Sequence, residues 1–176
     1  MSVRLPATPQ PERAAALVRA SGAAFRALRS VIVDENLGSG PPYPPLITQF
    51  SYVAPDRLSY RIVGGGDAVV IGTYRWDREN GGSSWQRSTQ EPTDVPATDW
   101  RLVRDASVLG TGMRDGRPVD VVSFYDPTIP AWFEAELDRQ TDLPLRLRMT
   151  AAAHFMTHRY TRYNAPPRIK APTGVR

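Results

Sequence analysis

The stretch 132–149, Trp-Phe-Glu-Ala-Glu-Leu-Asp-Arg-Gln-Thr-Asp-Leu-Pro-Leu-Arg-Leu-Arg-Met, decides the fold. Leu143, Leu145, Leu147 and Met149 alternate with Pro144, Arg146 and Arg148, the period of two expected for a strand with one buried and one wet face. Just before it, Ala131, Phe133, Ala135 and Leu137 share a face in the same way. Glu134, Glu136 and Asp138 fall on the other side and read as an ordinary wet strand edge rather than as paired catalytic carboxylates. The polar run 138–142 joins the two segments, so together they form an antiparallel hairpin with a defined apolar side. That side must cover either a packed core or a space that another molecule fills.

Outward from this hairpin the chain repeats the same grammar. One helix stands in front: Pro11 suits a first helical turn and Glu12 its positive end. Ala14, Leu17, Val18, Ser21, Phe25 and Leu28 then recur at helical spacing, ending by about Ser30. Arg13, Arg19, Arg26 and Arg29 lie mostly off that stripe, a solvated basic face or a contact for anionic lipid headgroups. Strands follow at 30–36, 47–53, 58–63, 68–76, 84–88, 108–113 and 119–125, then the hairpin, then 153–163. A helical turn is expected at 99–105, and Asp115-Gly116 is a strong two-residue hairpin signal. About ten consecutive antiparallel strands curl when they share one sheet. The pattern therefore predicts an α+β domain: one large curved antiparallel sheet, a half-barrel, with an N-terminal helix across its concave side.

Composition bounds the function. At 176 residues the chain is read as a single domain over 12–172, with a Pro-rich tether at 1–11 and a short tail at 173–176. The charge of +4 comes from arginines that alternate with apolar residues instead of clustering, which argues against nucleic acid as a partner. With no cysteine there is no disulfide, thiolate zinc site or cysteine nucleophile. No apolar run reaches the ~20 residues needed to cross a bilayer.

Sites of chemistry are few. Gly64-Gly65-Gly66 sits between two strands and lacks the lysine of a phosphate loop, so it reads as a turn. No serine–histidine–acid order stands out, and the chain is not read as an enzyme. His154, Met156 and His158 would point to one face of a strand, a soft-ligand set suited to copper. Backbone spacings of about 7 Å and 13 Å let one ion take two of them but hardly three, and ordinary sheet-face residues are the preferred reading. No cofactor is expected. Four tryptophans, five phenylalanines and seven tyrosines remain; one helix can hardly fill the concavity of ten strands, which tilts the reading toward a cavity.

Four places resemble the lipoprotein-carrier superfamily, the LolA/LolB-like half-barrel that includes mycobacterial lipid-carrying lipoproteins. The helix Ala14–Leu28 precedes the first strand. Residues 50–58, Phe-Ser-Tyr-Val-Ala-Pro-Asp-Arg-Leu, look like its aromatic strand, Pro-Asp-Arg turn and next strand. Residues 137–146 resemble its aspartate, short turn and Leu-Pro-Leu-Arg hairpin, with Asp142 where glycine is usual. Residues 160–172 resemble its Tyr-x-x-Asn-x-Pro exit with Ile169 and Pro172. The resemblance implies an extracytoplasmic domain, without catalysis, that holds an acyl chain or other apolar small molecule between sheet and helix. A membrane surface or membrane protein is a further implied partner, and no lipobox cysteine is present. The expected lining is Phe25, Leu28, Phe50, Tyr52, Tyr74, Trp76, Phe124, Phe133 and Leu145. The rival expectation is a sensory or interaction domain of the cell envelope, copper-related and attached to a membrane protein.

Overall fold

A computed structural model describes residues 3–4, 9–93, 95 and 102–175. The elements in chain order are β1 (Val3–Arg4), α1 (Pro11–Arg26), β2 (Ser30–Gly38), β3 (Leu46–Val53), β4 (Arg57–Ile62), β5 (Asp67–Ile71) and β6 (Tyr74–Arg78). Then come β7 (Gln86–Thr89), β8 (Arg104–Arg114), β9 (Arg117–Asp126), β10 (Ala131–Asp138), β11 (Pro144–Thr150) and β12 (Phe155–Thr161). The strand order is β1-β8-β9-β10-β11-β12-β2-β3-β4-β5-β6-β7, with β1 and β7 as its two ends. The described residues form an α+β fold, one helix and one open antiparallel sheet, as the periodicity predicts.

Two boundaries differ from the sequence reading for identifiable reasons. The run 68–76 is two strands, because Gly72 adopts a left-handed φ of 59° and Ile71 pairs with Tyr74 across a two-residue turn. The helix stops before Leu28. Beyond it the Asn164 side chain accepts the Arg29 N–H at 2.8 Å and the Asn164 N–H reaches the Ser30 carbonyl at 2.9 Å, drawing the backbone into β2. Of the helical turn expected at 99–105, residues 99–101 lie outside the described residues, while Arg104 and Asp105 already belong to β8.

The chain divides into two compact units. The first comprises Met1–Ala27, Leu37–Pro45 and Thr98–Arg159; the second comprises Leu28–Asn36, Leu46–Ala97 and Tyr160–Arg176.

In the first unit, α1 buries Ala14, Val18, Ser21, Gly22 and Phe25 and packs on β8 and β9. Register places Phe124 opposite Phe133, and Val122 opposite Ala135, which in turn faces Leu147. Cross-strand partners share a sheet face, so these residues form one continuous apolar surface. Phe124 and Phe133 stack at 5.3 Å. Asp120 lies on the same face opposite Leu137 and receives Arg13 of the helix at 2.8 Å, which fixes this as the helix-covered side. The other face corrects the wet-edge reading of β10. Glu136 and Asp138 are buried there, paired with Arg114 and Arg117, whose side chains lie over the sheet. The alternation is right, but arginine stems have closed the polar face from water.

In the second unit, β3 through β7 form a meander of antiparallel pairs. One face carries Thr48, Phe50 and Tyr52 of β3, Leu58 and Tyr60 of β4, Ala68 and Val70 of β5, and Arg75 of β6. The opposite face carries Gln49, Ser51, Arg61, Asp67, Val69, Tyr74 and Trp76. The chain end 165–175 runs along that second side, where the Ile169 carbonyl accepts Arg57 at 3.0 Å and the Gly174 carbonyl accepts the Trp85 N–H at 3.3 Å.

Candidate functional site

The nine residues expected to line one surface fall in both compact units, and within the second unit the β3 and β6 residues divide between two faces. Phe25, Phe124, Phe133 and Leu145 belong to the first unit and are buried, Phe124 with no exposed surface at all. A side chain with no exposed area touches no water-sized void, so Phe124 is close-packed core, while Phe25, Phe133 and Leu145 keep only 4–6% of their surface. Leu28, at the start of the second unit, is also buried. Phe50 and Tyr52 share a face of the second unit, and Tyr74 and Trp76 point to the other. There Trp76 is buried, and Tyr74 pairs with it at 6.0 Å while the Arg87 guanidinium sits 5.4 Å over the Tyr74 ring.

What gathers around Phe50 is a half-exposed aromatic surface. Its ring stacks on Tyr52 at 5.8 Å and meets Tyr60 of β4 at 5.6 Å, with Leu58 completing the row beside Tyr52. All four are neither fully buried nor fully exposed. The second unit contains no helix among the described residues that could lie on this face. Sequence reasoning missed Leu58, Tyr60 and Arg75. Carrying the alternation of β3 through the turn at 54–56 would have placed Leu58 opposite Tyr52 and Tyr60 opposite Phe50.

The polar groups of this face are few and tied down. Arg75 donates to the Tyr60 hydroxyl at 2.6 Å and grips Asp77 through two hydrogen bonds at 2.6 and 2.7 Å. The Asp77 hydrogen bonds raise the Arg75 pKa further above its ordinary value, with burial opposing and Tyr60 helping, so the guanidinium is a permanent charge at the edge. Tyr52 is pushed up to about 12, first by burial and then by the nearby Glu35 carboxylate. Tyr160, also buried, is raised for the same reasons: burial, then Tyr52 and Glu35. Both phenols therefore stay neutral at physiological pH. The arrangement is an apolar aromatic patch with neutral hydroxyls and one Arg75–Asp77 ion pair, suited to an amphipathic molecule.

The reverse face of the second unit is different in kind. Arg61 and Arg78 both hold Asp67, Arg78 stacks 4.6 Å from the Trp85 ring, and Gln49, Ser51 and Ser59 floor a shallow groove of about 380 Å³. It is polar and open. The copper candidates also separate. Met156 and His158 are on β12, but His154 sits exposed in the turn before it, its carbonyl accepting the Ala151 N–H at 2.9 Å. Among the described residues no three His, Cys, Asp or Glu side chains gather to hold a metal. No helix among them is long and apolar enough to cross a membrane.

The motif positions explain themselves in three dimensions. Arg57 of the Pro-Asp-Arg turn donates to the Ile169 carbonyl, and Asn164 of the exit segment holds Arg29 and Ser30. Asp142, where glycine is usual, has φ 57°. Against solved structures, the chain superposes on LprF from Mycobacterium bovis with a TM-score of 0.64 at 14% identity, covering 95% of this chain and 100% of that one. The chain shares the fold of LprF. The Mycobacterium tuberculosis lipoprotein LppX matches with a TM-score of 0.65 at 12% identity, over 92% of this chain and 100% of that one. An uncharacterized conserved protein from Thermus thermophilus matches at 0.53 and 10% identity, over 93% and 98%. No protein-family model and no curated protein matches the sequence. At these identities the fold is a shared architecture carried by different side chains.

Proposed function

We propose that this chain is an extracytoplasmic lipid- or lipoprotein-binding domain, non-catalytic, that holds an acyl chain or similar apolar ligand on the sheet face bearing Phe50, Tyr52, Leu58 and Tyr60. The observation that carries the reading is this half-exposed aromatic surface, which the second unit leaves without a helix of its own. Covering it would remove apolar area from water at ~25 cal/mol per Å². Arg75 and the neutral tyrosine hydroxyls would meet the polar end of an amphipathic ligand. The shared fold with the lipoprotein LppX supports the class.

The test is native mass spectrometry of the purified protein, with organic extraction of what co-purifies. A bound lipid that leaves on extraction supports the reading, as does stoichiometric uptake of added fatty acid or phospholipid. Phe50→Ser with Tyr60→Ser should weaken retention at least tenfold, while Tyr74→Ser on the opposite face leaves it unchanged. A clean mass that rejects both lipid classes overturns the carrier reading in favour of a sensory or interaction domain of the envelope.

A further inference from the structure

We infer that Met149, Met156 and His158 form a binding site for a soft monovalent metal ion, Cu(I). The sheet register brings the three together. Met149 of β11 is the direct cross-strand partner of Met156 of β12, and His158 is the partner of Leu147, one step along the same face. Partners across an antiparallel pair have Cβ atoms about 5 Å apart and diagonal neighbours about 7–8 Å. Residues two apart on one strand are about 7 Å apart. A thioether sulfur lies two bonds beyond its Cβ and an imidazole nitrogen two to three, so all three donors reach a common point above the sheet.

The placement is specific. The chain has four methionines; two of them face each other, Met113 is exposed on another strand, and Met1 opens the chain. All three donors are half-buried, accessible to an ion yet flanked by the buried Phe133 and Leu147. Arg146, Arg148 and Arg159 alternate onto the reverse face, so no arginine shares the donor side of these strands. Two thioethers and one imidazole favour a soft ion of low charge over Zn(II) or Mg(II), which take imidazole, carboxylate or oxygen donors. An imidazole binds a metal through one nitrogen and keeps the other for a hydrogen bond. The structure thus replaces the sequence-read trio: His154 drops out into the turn, and Met149, from the preceding strand, takes its place. The site does not depend on any carried lipid.

The experiment titrates the intact protein with Ag(I), a redox-inert stand-in for Cu(I), and follows methionine methyl and histidine ring NMR signals. Met149, Met156 and His158 should shift together at one equivalent, with Met113 and His154 unmoved. Competition for Cu(I) against a colorimetric chelator under ascorbate then measures affinity. The volume-conserving variants Met149→Leu and Met156→Leu should each weaken it at least tenfold, and His154→Ala should not change it. Unmoved methionine methyls at one equivalent would overturn the proposal. So would histidine shifts without methionine shifts, or a double Met→Leu variant that competes as well as the parent.

Discussion

Asp138 carries a charge at a position where its side chain has no exposure. Its Oδ1 accepts the N–H groups of Gln140 and Thr141 at 2.8 and 3.0 Å, which builds the turn between β10 and β11. Its Oδ2 lies 2.6 Å from Arg117 Nε, an ion pair by distance though not a well-aligned hydrogen bond. Asp138→Ala strands the guanidinium and both amides, and should cost on the order of 3 kcal/mol, a fall in Tm of ~6–12 °C by calorimetry. Asp138→Asn keeps the amide acceptor and should cost less than half as much. Four residues on, Asp142 has a left-handed φ of 57°, and Asp142→Gly should raise stability by up to ~1 kcal/mol in urea unfolding by removing that strain. Tyr52 gives a pH dependence. Its pKa in the folded chain, about 12, lies above the ordinary value of 10.0, so the folded state binds the proton more tightly than the unfolded one. The stabilisation is complete below about pH 10 and is lost as pH rises through 12. Tyr52→Phe should flatten the alkaline limb of stability between pH 10 and 12, read by far-ultraviolet circular dichroism.

At the scale of elements, alternation identified nearly every strand and the 3.6-residue stripe identified the helix. Two of the errors, a merged β5–β6 and an overlong α1, arose where one side chain or one backbone angle outweighs periodicity. Asn164 is such a residue: its side chain and N–H hold Arg29 and Ser30, and its own φ is 54°. Asn164→Ala should destabilise by ~1–3 kcal/mol, measured by denaturant unfolding, from the lost acceptor and the left-handed backbone together. Asn164→Gly should recover only the backbone part. The candidate site was half legible for a related reason. Phe50 and Tyr52 were named from the β3 pattern alone, but Tyr74 and Trp76 were grouped with them although cross-strand register puts them on the opposite face. A side is readable within one strand; between strands it depends on turn length, since a one-residue slip reverses every side chain.

For the whole molecule, the two compact units solve the burial problem differently. The first closes its apolar face with α1 and its polar face with arginine–carboxylate pairs, so β9 and β10 are buried on both sides. The second keeps a half-exposed aromatic face and ends in β7, whose four polar residues are all exposed, an edge chemistry that discourages pairing with another sheet. Hydrogen exchange should therefore be slowest for the amides of β9 and β10 and fastest for β7, by several orders of magnitude at neutral pH. The sequence by itself determined the class, the strand count to within the shortest pieces, the apolar side of each strand and the kinship of the fold. The kinship came from the resemblance of short motifs to a known family; the rest follows from local periodicity and turn chemistry. Only the tertiary structure decided that Glu136 and Asp138 are buried, that Phe124 is packed core while Phe50 is only partly covered, and that Met149 lies beside Met156 and His158. Those outcomes depend on which strands become neighbours and in what register, and hydrogen bonding between residues far apart in the chain sets both.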